Sequence, residues 1–303
     1  MGDVGLSDEV LSDTDLSTEQ QAALEAWLPG AELVEDLSWG LVDTVVLHVR
    51  HEGRDLTVKA YGPRNHHLER ELRGHAEFTG PLLGSGAGGG RPGGGRAGGR
   101  DRVPRLVDAD LEARVLVATW LPGRLVEGDP AEWEPEAYRQ AGELTARWHD
   151  QPGRLSTTWL RETRDRALRW LSMPHRIPAE QVAAVQRWAW PDEPVTLVPT
   201  HGDLGPRNWV VDDGVVSFID LGRADLRPAC TDLARMTARQ WRGRADLEAA
   251  FLEGYGTDPR PAWWRSLLLA EAVAAAAWAH QVGDAGFEAE GLRSVGELLA
   301  AGG

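Results

Sequence analysis

Three polar residues are spaced along the chain in a way that could support metal-dependent chemistry. Asp203 is followed five residues later by Asn208, and Asp220 comes twelve residues after that. A carboxylate and an amide oxygen are ligands that Mg²⁺ accepts, usually together with the phosphates of a substrate. Asp203 lies on the loop before both ligands, where its carboxylate could reach a hydroxyl group. Any one of these residues alone would be interpreted as a turn cap, but together they predict a phosphoryl-transfer site.

The sequence between Asn208 and Asp220 predicts the hairpin that would bring these two residues together. Two apolar runs flank the pair Asp213-Gly214, which is typical of a tight two-residue turn. Pairing outward from this turn sets Asn208 opposite Ile219. The two oxygen ligands are therefore expected side by side at the open end of the hairpin.

The residues around Asp203 resemble a known catalytic loop. Residues 200–208 read T-H-G-D-L-G-P-R-N, and I-D-L-G-R-A follows from Ile219. Protein kinases have a similar loop, in which an Asp precedes an Asn by five residues and the D-F-G Asp comes later. Here Gly202 stands at the Arg position and Leu221 at the Phe position, and both departures are typical of the aminoglycoside phosphotransferase family. The loop is close to the form found in the aminoglycoside 3′-phosphotransferases.

This resemblance implies a protein-kinase-like α+β fold of two lobes. The first would be a small antiparallel β lobe with one helix, and the second a large, mostly helical lobe. The resemblance also implies ATP (or GTP) and Mg²⁺ as cofactors. Asp203 would be the catalytic residue, and Asn208 and Asp220 the metal ligands.

Lys59 is the one lysine among 32 lysine and arginine residues, and it lies in V-K-A-Y near the end of a predicted third strand. Its ammonium group is a compact charge suited to phosphate oxygens, for which a planar guanidinium is no substitute. By the family resemblance, a glutamate on the next helix, predicted over residues 65–78, holds this lysine. Glu71 is the matching residue. Glu69 and Glu77 are the alternatives, because sequence does not define helix register to better than a few residues.

Other nucleotide contacts are predicted before and after Lys59 in the sequence. The turn at Ser38-Trp39-Gly40 would cover the phosphates with the Ser38 hydroxyl and backbone N–H groups. The stretch after the last strand resembles the family's interlobe linker, so the Thr119 carbonyl and the Leu121 N–H would bind the adenine.

A second glycine pattern is rejected as a nucleotide loop. Gly84, Gly86 and Gly89 formally match G-x-G-x-x-G. No strand is predicted before them and no helix after them, and they follow Lys59 instead of preceding it.

The lobes are predicted over residues 1–120, which bind nucleotide, and 121–303, which carry the catalytic and substrate-binding residues. Within the first lobe, residues 1–18 are expected to form a flexible tail, and the Gly/Arg-rich residues 81–102 a disordered loop. Residues 228–234 are expected to begin a helix that Thr231 or Asp232 caps. The other predicted elements are strands at 32–34, 44–49, 55–61, 103–107 and 113–119, and helices at 18–28, 138–149, 156–173, 179–190, 263–280 and 292–300.

The composition and net charge of the chain argue against some classes of binding partner. The chain has 303 residues, of which 42% are hydrophobic and 26% charged, as expected for a globular protein. Its net charge of −15 argues against nucleic acid and anionic membranes as partners. The acidic N-terminal stretch lacks the features of a signal peptide, and no apolar run is long enough to span a bilayer, so we expect a cytoplasmic protein. The single cysteine, Cys230, excludes an internal disulfide.

We therefore predict a small-molecule kinase that phosphorylates a hydroxyl group. The acceptor is expected to be a cationic antibiotic such as an aminoglycoside, modified for resistance or self-protection. A kinase of a choline, homoserine or sugar type and a non-catalytic nucleotide-binding module are the alternatives. The cationic acceptor is suggested by the loop and by carboxylates of the helical lobe, namely Asp225, Asp258, Glu271, Asp284, Glu288 and Glu290.

Overall fold

The structure is a computed structural model, and it describes residues 15–38, 43–84 and 99–301. The strands are β1 (Glu32–Asp36), β2 (Thr44–His51), β3 (Arg54–Tyr61), β4 (Leu106–Asp110), β5 (Val115–Thr119), β6 (Arg124–Leu125), β7 (Arg154–Ser156), β8 (Val195–Thr200), β9 (Trp209–Asp212), β10 (Val215–Phe218) and β11 (Asp225–Arg227). The α-helices are α1 (Thr18–Trp27), α2 (His67–Arg73), α3 (Pro135–His149), α4 (Trp159–Trp170), α5 (Ala179–Gln186), α6 (Ala234–Ala238), α7 (Ala245–Tyr255), α8 (Trp264–Val282) and α9 (Ala285–Ala300).

Five strands form one antiparallel sheet in the order β1-β2-β3-β5-β4. The predicted meander of the first three strands is confirmed, with a tight turn between β2 and β3 at Glu52-Gly53. The fourth strand begins at Leu106 and not at Val103 as predicted. Pro104 intervenes, and proline has no N–H to donate to a strand ladder.

The two faces of this sheet have different partners, because successive side chains of a strand point to opposite sides. Leu56, Val58 and Ala60 of β3 are buried in one cluster with α1 residues. On the other face, Tyr61 is buried with Leu68 of α2. The same alternation places Lys59 on the α2 side of the sheet.

Helix α1 begins as predicted. The Ser17 hydroxyl accepts a hydrogen bond from the Gln20 N–H, and the Gln20 side chain accepts one from the Ser17 N–H, which together form a capping box. This end of the predicted tail is therefore ordered, whereas residues 1–14 lie outside the described residues.

The helix predicted over residues 65–78 is divided. Helix α2 ends at Arg73, and Gly74–Phe78 continues as one turn of π-helix. At Gly74 an added Cβ atom would lie 3.0 Å from the Ala224 Cβ atom and 3.2 Å from the Leu221 Cβ atom. The π-turn therefore begins where this segment packs closely against Leu221 and Ala224.

The described ends of the predicted Gly/Arg-rich loop are packed. Leu82 is fully buried, and the Arg102 N–H donates to the Leu82 carbonyl oxygen at 2.9 Å. Residues 85–98, including Gly86 and Gly89, lie outside the described residues.

In the second half of the chain, α3 packs against α7. Two glycines permit this contact, since an added Cβ atom would lie 2.1 Å from the Phe251 carbonyl oxygen at Gly142 and 1.9 Å from the Arg139 carbonyl oxygen at Gly254. Helices α8 and α9 form a second packed pair. In the described part of the chain, no helix is long and apolar enough to cross a membrane.

Two predicted helix starts are corrected. Helix α4 begins at Trp159 and not at Ser156, because Ser156 belongs to β7 and its hydroxyl accepts the Trp159 N–H at 3.2 Å. Helix α9 begins at Ala285 and not near Leu292, because the Asp284 carboxylate caps it by accepting the Phe287 N–H.

The predicted hairpin is confirmed. Strands β9 and β10 pair with Asp212 opposite Val215, and the pairing continues to Trp209 opposite Phe218. Asp213 and Gly214 have positive φ angles of 48° and 74°, as a type I′ turn requires. The hairpin lies within the main core cluster, where Trp209 and Phe218 are fully buried, so a packed core supports its open end.

Candidate active site

The open end of the hairpin brings the two predicted metal ligands together. The Ile219 N–H donates to the Asn208 carbonyl oxygen at 2.9 Å, so Asn208 and Asp220 are neighbours. His201 joins the preceding loop to the same point, because its Nε2 atom lies 3.0 Å from the Ile219 carbonyl oxygen. Asp220 has a φ of 63°, which is uncommon for a residue other than glycine, and its Oδ1 atom accepts the Gly222 N–H at 3.3 Å.

Lys59 links the two halves of the chain. Its Nζ atom lies 2.7 Å from Glu71 Oε1 and 3.0 Å from Asp220 Oδ1. Of the three glutamates considered from the sequence, Glu71 is the one that contacts Lys59, whereas Glu69 and Glu77 are exposed. The contact places the predicted phosphate-binding lysine beside a predicted metal ligand.

The charges of this cluster stabilise one another. Burial by itself would lower the pKa of Lys59, but the carboxylates of Asp220 and Glu71 outweigh it and raise that pKa. Burial would raise the pKa of Asp220, but the Lys59 ammonium outweighs it and lowers that pKa. Lysine and aspartate are therefore both charged at neutral pH, as a phosphate-binding cation and a metal ligand must be.

Tyr61 is a member of the cluster that sequence reasoning missed. Its hydroxyl donates to Glu71 Oε2, the oxygen that Lys59 does not contact. Burial, followed by the Glu71 charge, raises the pKa of Tyr61, so the phenol stays protonated and remains a donor. The sequence could have indicated this role, because Tyr61 comes two residues after Lys59 and residues two apart lie on the same face of a strand.

Asn208 is oriented by the loop that carries Asp203. Its Nδ2 atom donates to the Asp203 carbonyl oxygen at 2.8 Å, and a carbonyl can only accept, so this contact identifies the nitrogen. The Asn208 Oδ1 atom is then left for another partner. Asp203 itself is mostly buried, and its Oδ1 atom lies 3.4 Å from Arg235 Nη1.

Asp232 anchors the loop and is not the helix cap that was predicted. Its two carboxylate oxygens accept the backbone N–H groups of His201, at 2.8 Å, and Gly202, at 2.7 Å. The ring of His149 lies 3.1 Å from the same carboxylate and 2.9 Å from the Tyr255 hydroxyl. Burial would raise the pKa of Asp232, but the hydrogen bond and charge of His149 outweigh it and lower that pKa.

Gly202 is required where protein kinases have arginine. Its φ is 80°, and an added Cβ atom would lie 2.2 Å from the Arg223 carbonyl oxygen. A side chain at this position would clash with backbone as well as strain it. The departure from the protein-kinase loop therefore has a steric cause.

The predicted adenine and phosphate contacts lie on the sheet. The Arg105 N–H donates to the Thr119 hydroxyl at 2.9 Å, not to the Thr119 carbonyl, which leaves that carbonyl for another donor. Among the described residues, the Leu121 N–H has no hydrogen-bond partner. The Ser38 hydroxyl accepts the Val46 N–H at 3.0 Å, so it already helps to hold the first turn. Trp39 and Gly40 lie outside the described residues.

The residues present fit a magnesium ion better than a metal that needs a full protein cage. Across the described ranges, no group of three or more His, Cys, Asp or Glu residues is placed to hold a metal. Asn208 and Asp220 offer two oxygen ligands at one point. Mg²⁺ is commonly held by one or two protein groups, with waters and substrate phosphates completing its shell.

An antiparallel sheet with a lysine–glutamate pair, joined to a helical lobe that carries the Asp203 loop, defines a kinase-like small-molecule phosphotransferase. The sequence matches the phosphotransferase enzyme family, APH, over residues 91–289. The chain therefore belongs to this family. The predicted family and the prediction of a small-molecule kinase are confirmed at this level.

Solved structures confirm the predicted kinase-like fold. Aminoglycoside phosphotransferase APH(4)-Ia, in a complex with ADP and hygromycin B, is 14% identical and has a TM-score of 0.67, with 93% of this chain and 98% of that chain covered. A macrolide 2′-phosphotransferase of type I is 21% identical and has a TM-score of 0.60, with 97% and 99% covered. A choline/ethanolamine kinase family protein from Mesorhizobium loti is 18% identical and has a TM-score of 0.59, with 88% and 86% covered. No curated protein matches the sequence.

Proposed function

We propose that the protein transfers the γ-phosphoryl group of ATP, or of GTP, to a hydroxyl group of a small molecule. The observation that carries this proposal is the contact at 3.0 Å between Lys59 and Asp220. It joins a phosphate-binding lysine on the sheet to a metal ligand on the hairpin. The hydrogen bond from the Asn208 side chain to the Asp203 backbone carbonyl supports a site in which the catalytic aspartate is next to the second metal ligand.

Each of these residues has a distinct task in the proposed reaction. Lys59 steadies the α- and β-phosphates, and Asn208 and Asp220 would hold Mg²⁺, which when bound would neutralise charge on the phosphates. Asp203 orients the acceptor hydroxyl and takes its proton. The bond between the acceptor oxygen and the γ-phosphorus forms as the bond between that phosphorus and the ADP oxygen breaks.

The nucleotide base would lie against the end of β5. The Thr119 carbonyl and the Leu121 N–H offer one acceptor and one donor there, which suits the edge of a purine. Ser38 would serve the phosphates through its hydroxyl proton, since its oxygen already accepts the Val46 N–H. The division of the chain after residue 120 and the cytoplasmic location remain predictions.

A cationic antibiotic such as an aminoglycoside is supported by the acidic chain and by the antibiotics that the similar enzymes act on. The helical-lobe carboxylates support it less than the sequence suggested, because five of the six are already engaged. The pairs are Asp225 with Arg73, Asp258 with Arg260, Asp284 with the Phe287 N–H, Glu288 with His280 and Glu290 with Arg239.

The enzyme is tested first by hydrolysis of ATP in the presence of Mg²⁺ without an acceptor. Asp203→Ala is expected to abolish hydrolysis while ADP still binds, because the loop and not the nucleotide site is changed. Asp192→Ala, an exposed aspartate, is the matched control and should hydrolyse ATP at the wild-type rate. A non-catalytic nucleotide-binding module would bind ADP equally in all three proteins and hydrolyse no ATP.

The acceptor is sought by a coupled kinase assay at low and high salt. The panel contains aminoglycosides, basic peptide antibiotics, macrolides, sugars, homoserine and choline. A polycationic acceptor steered by the acidic protein should show a KM that rises with salt. Turnover of an uncharged hydroxyl compound alone, without salt dependence, would favour the metabolite kinase.

A further inference from the structure

Arg235 is a charged group at the site to which the proposed reaction gives no task. Its Nη1 atom lies 3.4 Å from Asp203 Oδ1, and its side chain is 24% exposed. Within the described chain, its guanidinium forms no hydrogen bond, although a guanidinium carries five N–H donors. The contact with Asp203 is therefore an ion pair without a hydrogen bond.

Arg235 lies beside Gly205, which comes between the catalytic residue and the metal ligand Asn208 in the sequence. An added Cβ atom at Gly205 would lie 3.6 Å from Arg235 Cδ and 4.0 Å from Arg235 Nε. The arginine therefore extends over the middle of the catalytic loop. A phosphoryl group transferred to a hydroxyl held by Asp203 would pass close to this loop.

The surroundings of Arg235 favour an anion. Burial lowers its pKa the most, the Asp203 charge raises it, the charges of Arg239 and Arg207 lower it, and the Glu127 charge raises it. A guanidinium nevertheless stays protonated in proteins. A cation that is partly desolvated and paired without a hydrogen bond gains free energy when an oxyanion binds it.

We propose that Arg235 forms, beside Gly205, an oxyanion site for the phosphoryl group in transfer. This inference rests on the proposed function and adds a catalytic residue to it. When the acceptor hydroxyl, or a water molecule in its absence, engages Asp203, the guanidinium turns its N–H groups to the equatorial oxygens of the phosphoryl group. Arg235 exchanges no atom or proton, and the proton of the hydroxyl still moves to Asp203.

This arrangement would surround the transferring group with cations. Lys59, with the Mg²⁺ that Asn208 and Asp220 would hold, would act on the phosphates of the nucleotide, and Arg235 would act on the group in transfer. Charge on a transferring phosphoryl group is spread over three oxygens, so fixed donors near them lower the barrier. An anionic group of the acceptor offers the same oxyanion chemistry, and the experiment separates the two sources.

The test compares Arg235→Gln, Arg235→Lys and the control Arg242→Gln, a surface arginine paired with Glu297 at 2.7 Å. Hydrolysis of ATP without an acceptor should fall by about 10²- to 10³-fold in Arg235→Gln, the usual effect of removing one such donor. Arg235→Lys should recover part of the loss, and Arg242→Gln should match the wild type. In Arg235→Gln, the affinity for ADP–aluminium fluoride should fall by the same factor, whereas the affinity for ADP should be unchanged.

Two outcomes would overturn the proposal. Unchanged hydrolysis and unchanged binding of ADP–aluminium fluoride in Arg235→Gln would remove Arg235 from the reaction. Unchanged hydrolysis with a raised KM for the acceptor would assign Arg235 to an anion of the acceptor instead. If Arg235→Gln lost ADP binding through misfolding, the same measurements on Arg235→Lys would decide.

Failure of the proposed function would look different. ADP–aluminium fluoride binds without turnover, so its affinity reports on Arg235 even if the wild type hydrolyses no ATP. In that case, weaker binding in Arg235→Gln would keep the oxyanion site while the transfer reaction itself was refuted.

Discussion

The two halves of the active site are built by different means. Asp203, Asn208 and Asp220 lie within eighteen consecutive residues, and main-chain hydrogen bonds and a tight hairpin set their positions. Lys59 and Glu71 lie on a strand and a helix, and a side-chain ion pair at 2.7 Å holds them together.

Because of this difference, we expect the hairpin half to be rigid and the lysine half to be adjustable. The hairpin half is supported by the main core and by Asp232, which accepts two loop N–H groups. The lysine half depends on three side chains, because Tyr61 and Lys59 each use one oxygen of Glu71. The halves meet where Lys59 contacts Asp220, so changes there should affect both.

The largest effect is expected from Asp220→Asn, which weakens metal binding and removes the negative partner of Lys59. We expect kcat to fall by about 10³-fold, because a catalytic metal supplies several kcal/mol and each 1.36 kcal/mol corresponds to tenfold. Steady-state kinetics over a range of Mg²⁺ concentrations would measure it. Asp213→Asn, at the turn of the same hairpin, should have wild-type kinetics. Near-normal kcat in Asp220→Asn would exclude Asp220 as a metal ligand.

The next effect is on stability and concerns the anchor of the hairpin half. Asp232→Asn keeps one acceptor oxygen, so one buried N–H loses its partner at a cost of about 1–3 kcal/mol. Urea unfolding at pH 7 would measure the loss, with the exposed Asp258→Asn as the control. Equal unfolding free energies for Asp232→Asn and the wild type would show that the loop does not depend on this carboxylate.

A comparison of the wild type with Asp232→Asn also gives a prediction for how stability depends on pH. Because the pKa of Asp232 is lowered in the folded protein, its ionisation stabilises the fold above the ordinary carboxyl pKa of about 4. That stabilisation is lost as the pH falls below this value. The wild type should therefore lose more stability than Asp232→Asn between pH 5 and pH 3, and parallel losses would contradict the assignment.

The smallest effect is expected from Lys59→Arg, which keeps the charge in the adjustable half. The larger, planar guanidinium cannot reach Glu71 and Asp220 with the same geometry. We expect kcat/KM for ATP to fall roughly 10- to 100-fold, equivalent to about one charged hydrogen bond. Arg54→Lys, on the same strand and exposed, is the control. Unchanged catalysis in Lys59→Arg would remove Lys59 from the site.

Much of the hairpin half could be predicted from sequence because its order is local. Asp213-Gly214 determines the turn, the turn determines the register, and the register places Asn208 beside Ile219. The meander of β1, β2 and β3 could also be predicted, because its turns are short and successive side chains of its strands alternate between the two faces of the sheet. Boundaries were less predictable, as the starts of β4, α4 and α9 show, since one proline or one capping side chain moved each of them.

What the sequence by itself determined was therefore the set of candidate residues Asp203, Asn208, Asp220 and Lys59 and the hairpin that brings Asn208 beside Asp220. The tertiary structure decided which residues complete the site. Of the three candidate glutamates, Glu71 is the buried one that contacts Lys59. Tyr61, on the same face of the sheet as Lys59, donates a hydrogen bond to Glu71. Asp232 and Arg235 reach the catalytic loop from residues about thirty positions later. Such partners depend on packing between distant segments, and no local pattern of residues encodes that packing.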